Sequence, residues 1–173
     1  MALAGAHMIS GELKWYTVAS RLEQAIYEAL TLTPARHSVV PGAIAWDECD
    51  CGLLAVSVGQ IYPTEIFPNP ALARVGNACD APWEAAEIIM QIVRCAPNPD
   101  DPMTAPTTVD LDASAREVLT DAYQMTQAAT LALCQMNKAR EISDYVVRPL
   151  TPQGPSGGCV GSELRAVVAL ARN

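Results

Sequence analysis

The residue types in this chain that could carry chemistry are its cysteines. There are six, at Cys49, Cys51, Cys79, Cys95, Cys134 and Cys159. Cys49 and Cys51 precede one apolar run, and Cys95 ends a second. If those runs pair as antiparallel strands, Cys49, Cys51 and Cys95 meet at one end of a sheet. Cys159 follows a Gly/Pro-rich segment and could join them there, which would give a cluster of four thiols.

Three states of this thiol cluster (Cys49, Cys51, Cys95 and Cys159) stay open at the level of sequence. Four thiolates at about 2.3 Å would suit a structural zinc ion, although CxC is a poorer chelating spacing than CxxC. A disulfide within the cluster requires an environment outside the reducing cytoplasm. Unbonded thiols would pack as small apolar side chains. Apart from this zinc alternative, the sequence predicts no cofactor.

No catalytic constellation accompanies the cysteines in the sequence. A Cys–His nucleophile needs a histidine held beside a thiol, and the two histidines, His7 and His37, lie in a terminal segment and in a predicted loop. The glycines of segment 154–158 do not follow a strand and open a helix, which excludes a phosphate-binding loop. We therefore predict that the chain is not an enzyme.

The composition favours one globular domain over residues 1–173 that assembles with other copies. Half of the residues are apolar and only 17% are charged, so a monomer would leave apolar surface exposed. The net charge of −8, with no basic run, excludes nucleic-acid binding through phosphates. No apolar run is long enough to span a bilayer, and no signal peptide is recognisable. We expect synthesis in the cytoplasm.

Hydrophobic periodicity predicts an α+β fold in the order α-β-β-α-β-β. The predicted elements are helices at 10–30 and 112–137 and strands at 53–62, 84–94, 145–150 and 164–170. The apolar stripe of the long helix is predicted to comprise Ala115, Val118, Leu119, Ala122, Met125, Ala129, Leu133 and Met136. The simplest architecture is one antiparallel sheet of about four strands, covered on one face by the two helices.

The segments between these elements are rich in proline. We predict a mobile N-terminus at 1–9, long loops or arms at 63–82 and 96–110, and a hairpin tip at 151–161. Within the second arm, residues predicted to contact another chain are Pro97, Asp100, Asp101, Pro102 and Pro106. For Trp46 and Trp83 two interpretations stay open: local packing over the sheet edge, or anchoring into a neighbouring subunit.

Three segments resemble proteins from the neck of long-tailed phages that infect actinobacteria. They are residues 46–54 (WDECDCGLL), residues 83–97 (beginning WEAAEI and ending VRCAP) and residues 154–161 (GPSGGCVG). The order of elements over residues 10–170 resembles that group as well. Among neck proteins, the chain is most similar to tail terminators.

The resemblance implies a structural virion protein located in the tail and neck. Such a protein forms a ring, expected to be a hexamer, that ends tail-tube polymerisation and joins the tube protein to the head-closure complex. Sheet edges and loops would build the subunit contacts, and DNA would pass through the lumen without specific binding. The alternatives are another neck component, such as a head-to-tail stopper or tube-like protein, or a small zinc- or thiol-dependent cytoplasmic enzyme.

Overall fold

The computed structural model describes residues 10–44, 52–71, 83–97 and 104–170 of the chain. Its elements in chain order are α1 (Ser10–Ala29), β1 (Arg36–Val40), β2 (Leu53–Thr64), β3 (Trp83–Cys95), α2 (Thr108–Lys138), β4 (Ile142–Val147), β5 (Thr151–Ser156) and β6 (Cys159–Leu170). Neither described helix is long and apolar enough to cross a membrane.

The strands form one mixed sheet in the order β1-β2-β3-β6-β4, with β5 also pairing with β6. β5 pairs with the first part of β6 and β4 with its second part, so both lie along the same side of that strand. β1 runs parallel to β2, and the other pairs are antiparallel. The predicted α+β class and the two helices are confirmed, but the prediction of about four antiparallel strands is corrected to six strands in a mixed sheet.

The two strands that the sequence did not predict have little apolar periodicity. In β1, Arg36, His37 and Ser38 are exposed, because this strand pairs with a described strand only on its β2 side. β5 contains two prolines and a glycine and is mostly exposed. It accepts the prolines because it is a short strand whose one described partner is β6, and prolines are tolerated at such edges.

The core lies between α1, α2 and one face of the sheet. Alternate residues of the three central strands point towards the helices, as their period-two pattern predicts. The buried core residues from the sheet include Leu54, Val56, Ala86, Ile88, Met90, Ile92, Leu164, Ala166 and Val168. Those from the helices include Trp15, Val18, Ala19, Leu22, Ile26, Met125, Ala129, Leu133 and Met136. The helices therefore cover one face, as predicted.

The long helix begins earlier than its apolar stripe predicts. α2 starts at Thr108, and the Thr107 hydroxyl caps it by accepting a hydrogen bond from the backbone N–H of Asp110 (3.2 Å). The sequence indicated a start at residue 112, because the first turn carries polar residues that suit a cap. The earlier start extends α2 beyond the core.

Candidate interaction surfaces

Two members of the predicted thiol cluster lie side by side at one end of the sheet. Cys95, the last residue of β3, is paired in register with Cys159, the first residue of β6. Cys95 is an exposed free thiol. Cys159 is fully buried and disulfide-bonded. Cys49 and Cys51 lie outside the described residues, so the structure brings together Cys95 and Cys159 and does not test the other two.

The disulfide changes the chemistry that this end of the sheet can offer. A zinc site needs thiolates, and the Cys159 sulfur is already committed to a bond with another sulfur. Over the described part of the chain, no group of three or more His, Cys, Asp or Glu side chains is placed to hold a metal ion. Because Cys49 and Cys51 are not part of that description, the zinc alternative stays a prediction.

A buried ion pair fixes α2 to the sheet. Arg94 of β3 donates two hydrogen bonds to Asp121 of α2, from Nε to Oδ2 at 2.7 Å and from Nη2 to Oδ1 at 3.1 Å. Glu117 lies 3.3 Å from the same Nε, and the Leu32 carbonyl also accepts from the guanidinium. Arg94 is 7% exposed and Asp121 is 2% exposed. The ion pair thus joins β3, α2 and the segment after α1 at one point.

The N-terminal part of α2 has no buried residue. The buried positions of this helix begin at Asp121, so the turns from Thr108 to Thr120 extend past the core. At 1.5 Å per residue this extension is about 20 Å long. Isolated helices of this length are marginal in water, so the extension is stabilised as a continuation of the buried half of α2.

The outward face of α2 carries a row of exposed apolar residues. We call Val109, Leu119, Tyr123 and Leu131 the outer stripe; Leu119 is 66% exposed and Tyr123 is 68% exposed. At 100° per residue, these four positions fall within about one third of the helix circumference, on the side opposite the core residues. The predicted assignment of Leu119 to the core stripe is therefore wrong. A row of exposed apolar residues is typical of an interaction surface.

A groove separates the α2 extension from the β5–β6 hairpin. It has a volume of about 360 Å³. Its walls include Pro97 and Pro106, together with Leu111, Val118 and Pro155, and none of the described residues that line it is charged. Both prolines are half-buried. Pro97 and Pro106 of the predicted contact arm thus lie in one place, whereas Asp100, Asp101 and Pro102 lie outside the described residues.

The sheet presents two edges on opposite sides. Within the described part of the chain, β1 has a ladder partner only on its β2 side and β4 only on its β6 side. Arg36 is exposed on β1, and Asp144 is exposed on β4. Unpaired edges of this kind offer backbone N–H and C=O groups to another strand.

Side-chain contacts hold the β1 edge against α1. The His37 ring stacks on Tyr27, with ring centroids 3.8 Å apart, and its Nδ1 contacts the Glu23 carboxylate. Glu23 is buried, so this histidine is the polar partner that its carboxylate needs. His37 was predicted to lie in a loop without a catalytic role; the structure places it in β1, where its contacts are structural.

The sheet face away from the helices carries a polar network. Arg165 donates to Glu163 from Nε at 2.7 Å and to Glu87 from Nη1 at 3.0 Å. Gln91 donates to the second oxygen of Glu163 at 2.8 Å. The hydrogen bond to Glu163 raises the pKa of the Arg165 guanidinium, which therefore stays charged. The network ties β3 to β6, and its three charged groups together carry one net negative charge.

Trp83 and the turn after β2 mark the opposite end of the sheet. Trp83 is 44% exposed, and Ile61 and Ile66 are exposed nearby in sequence on β2 and its following turn. The Tyr62 hydroxyl donates to the Pro68 carbonyl at 2.7 Å, which folds this turn onto the strand. The exposure of Trp83 is compatible with an anchor into a neighbouring subunit, which stays a prediction. Trp46 lies outside the described residues.

No family model matches the chain, and no curated protein matches its sequence. A functional proposal therefore depends on the surfaces described above and on the resemblance of the three sequence segments. Those surfaces are the two open sheet edges, the outer stripe and the proline-lined groove.

Proposed function

We propose that the chain is a structural subunit of a ring at the head-proximal end of a long phage tail. In this role it ends tail-tube polymerisation and joins the tube to the head-closure complex. The proposal assigns it to the tail and neck of the virion, with other copies of itself, the tube protein and the head-closure protein as partners. It assigns no catalytic residue.

The observation that carries the proposal is that, among the described strands, β1 and β4 each leave one edge without a ladder partner, on opposite sides of the sheet. When one surface of a subunit binds a different surface of the next copy, the contact is head-to-tail, and such contacts generate closed rings when the rotation per subunit allows it. β4 of one copy can lie beside β1 of the next, which continues the sheet and satisfies the backbone groups of both edges.

The charges at the two edges favour this pairing over pairing of like edges. Arg36 is exposed on β1 and Asp144 on β4, so a β1–β4 contact brings opposite charges together. A β4–β4 contact would instead place two carboxylates near each other, which selects against the wrong partner. The outer stripe and the groove remain available for neighbours along the tail axis.

A charge swap tests the proposed edge contact. Arg36→Glu and Asp144→Lys should each weaken association at least tenfold, about 1.4 kcal/mol, because each creates a like-charge contact. The double variant should recover most of the association. Native mass spectrometry and light scattering would measure the assembled fraction, alone and in the presence of tail tubes.

The matched control is Arg116→Glu, which changes an exposed arginine of α2 by the same charge away from both edges. It is compared without tail tubes, because Arg116 lies on the same side of α2 as the outer stripe. This control should assemble like the wild type. A wild-type chain that stays monomeric at every concentration, alone and on tail tubes, would overturn the ring proposal. Single variants that assemble normally would overturn the edge contact.

A ring that forms only when tail tubes are present would support a tail terminator. A ring that binds the head-closure complex and not the tube would point to the stopper alternative. The two outcomes separate the neck components that the sequence alone leaves open.

A further inference from the structure

The open edge of β4 has two residues whose backbone groups point away from the sheet. The N–H of Arg148, directly after β4, donates to the Arg165 carbonyl at 2.8 Å, so these two residues form a hydrogen-bonded pair between β4 and β6. Such pairs alternate along an antiparallel ladder. The register places Tyr145 and Val147 at the alternate positions. Their N–H and C=O groups therefore face the open edge.

A side chain of β4 already occupies one of these groups. Asp144 Oδ1 accepts a hydrogen bond from the Tyr145 N–H at 2.8 Å. Asp144 is exposed, and it points to the sheet face away from the helices because its neighbour Tyr145 packs on the core. Its carboxylate thus caps a donor that a further strand would use. A strand that pairs with this edge takes over the Tyr145 N–H and displaces the carboxylate.

The open edge of β1 is capped in the same way. The alternation, followed from β6 through β3, points the backbone groups of Leu54 and Val56 of β2 towards β1. In the parallel β1–β2 pair these groups bond to alternate residues of β1, which leaves the N–H and C=O groups of His37 and Val39 facing out. The Ser38 hydroxyl donates to the Val39 carbonyl at 3.0 Å. One outward group on each edge is therefore held by a neighbouring side chain.

The strand directions fix how β1 of the next copy lies on β4. Within one copy β1 is parallel to β2, and the pairs β2–β3, β3–β6 and β6–β4 are antiparallel, so β1 and β4 run in opposite directions. A rotation about a ring axis preserves the direction of each strand along that axis. β4 of one copy and β1 of the next therefore pair antiparallel. This pairing rests on the ring proposed above, because the ring axis fixes the strand directions.

Side-chain orientation and charge then select one register. Residues that face away from the helices lie opposite one another, so the possible registers differ by steps of two residues. The register that places Ser38 opposite Asp144 keeps the whole of β1 beside β4. A shift by two in one direction would place Arg36 opposite Arg148, and like charges directly opposite are destabilising. A shift in the other direction would carry the last two residues of β1 past the start of β4.

We propose that β1 of one copy pairs antiparallel with β4 of the next in the register that sets Ser38 opposite Asp144. Arg36 is then the diagonal neighbour of Asp144, within reach of a long side chain. Asp144 exchanges its bond with Tyr145 for donors from the other chain, which are the Ser38 hydroxyl and the Arg36 guanidinium. The Tyr145 N–H passes to the His37 carbonyl. Each edge thus gives up its own cap and receives a partner from the other copy.

Disulfide trapping tests this register. In Ser38→Cys/Asp144→Cys the two new thiols lie directly opposite each other between copies, with Cα atoms about 4.5 Å apart in a pair without mutual backbone bonds. The matched control, Ser38→Cys/Val146→Cys, places them diagonally at about 7–8 Å, which a disulfide spans only with backbone movement. Assembled samples are treated with a mild oxidant, alkylated and digested, and the linked peptides are quantified by mass spectrometry. We expect about tenfold more linked peptide from the first variant.

The control is biased against the proposal, which sharpens the comparison. It retains both Arg36 and Asp144, so its copies keep the attraction between opposite charges that the test variant lacks. A weak link in the control therefore reports the geometry of the contact. The wild-type chain, treated identically, accounts for links made by the native cysteines. Light scattering measures the assembled fraction in every sample before oxidation.

A stronger link in the test variant than in the control would support the proposal. A stronger link in the control would overturn it by showing a register shifted by two residues, while the edge contact itself would stand. Assembled samples in which neither variant links would also overturn the register. A wild-type chain that never assembles would overturn the ring as well, so the assembled fraction distinguishes the two failures.

Discussion

Replacing Arg94 by methionine tests whether its ion pair with Asp121 anchors the long helix. The substitution keeps an unbranched side chain but removes the guanidinium. Asp121, 2% exposed, then loses both of its hydrogen bonds from Arg94. Asp121 and Glu117 are also left as two carboxylates one helical turn apart, without the cation between them.

The expected destabilisation follows from the burial of this pair. Breaking a buried ion pair by removing one partner costs about 3–5 kcal/mol, because a charge stays buried without compensation. Glu117 is partly exposed and can turn towards water, so Asp121 dominates the cost. With a urea m-value of about 2 kcal/mol/M, the unfolding midpoint should fall by roughly 1.5–2.5 M.

Urea unfolding followed by circular dichroism measures this shift, and two further variants make it interpretable. Arg116→Ala breaks the exposed pair with Asp112 and should cost at most about 1 kcal/mol. The double variant Arg94→Met/Asp121→Leu removes both charges and should recover most of the loss, because apolar replacement of a buried pair is often neutral.

The result that would refute this reasoning is an Arg94→Met midpoint within 0.5 M of the wild type, an approximate limit set by the cost of an exposed pair. Equal losses for the single and double variants would show that the packing of the arginine stem, rather than its charge, stabilises the helix.

Two further predictions concern stability. Gly161→Ala should lower the free energy of unfolding by about 1–3 kcal/mol, because a Cβ there would overlap the Ile92 carbonyl oxygen; Gly42→Ala, where a Cβ meets no atom within 4 Å, is its control in the same urea assay. Burial raises the pKa of Tyr62, so its neutral form contributes stability that is complete below pH 10 and is lost as the pH rises through the raised value. Tyr62→Phe removes the hydrogen bond to Pro68 and should lower the free energy of unfolding by about 0.5–1.5 kcal/mol at neutral pH. Because phenylalanine has no hydroxyl to ionise, the stability of this variant should depend less on pH above 10. Equal pH dependence of the two proteins would contradict this.

The elements that the sequence predicts well are those whose periodicity matches their burial. Successive side chains of β3 point alternately towards the helices and away from them, because both of its neighbours are strands and one of its faces meets the helices. The core half of α2 is equally clear, since Met125, Ala129 and Leu133 recur at helical spacing and are buried. In such segments, local pattern and tertiary packing select the same residues.

Burial is predicted poorly from the sequence where tertiary packing, and not local periodicity, decides which residues are buried. Leu119 lies three residues before the buried Ala122, a spacing that suggests the core face, but it is exposed because it falls on the outward face of α2. Three of the five residues of β1 are exposed, so no alternation marks this strand. The contact of Cys95 and Cys159 could be predicted in part, since strand ends place both at one end of the sheet, but the register that opposes them could not.

The sequence of α2 carries a signal for the buried ion pair. Asp121 stands beside Ala122 and one turn before Met125, on the apolar face of the helix. A carboxylate at such a position is almost never fully buried unless a cation meets it, so the sequence already indicated a buried partner. The identity of that partner, Arg94, depends on the docking of α2 against β3, which local pattern does not specify.

The central position of β6 in the sheet has a consequence for how the chain folds. β3 and β6 pair along most of their lengths although α2, β4 and β5 lie between them in sequence, so Cys95 meets Cys159 and Ala85 meets Ala169. Such distant pairings slow folding, because a long loop must close before the contacts form. During synthesis, β3 keeps an unpaired, largely apolar edge until residue 170 has left the ribosome. The nascent chain is therefore most prone to aggregation just before β6 emerges.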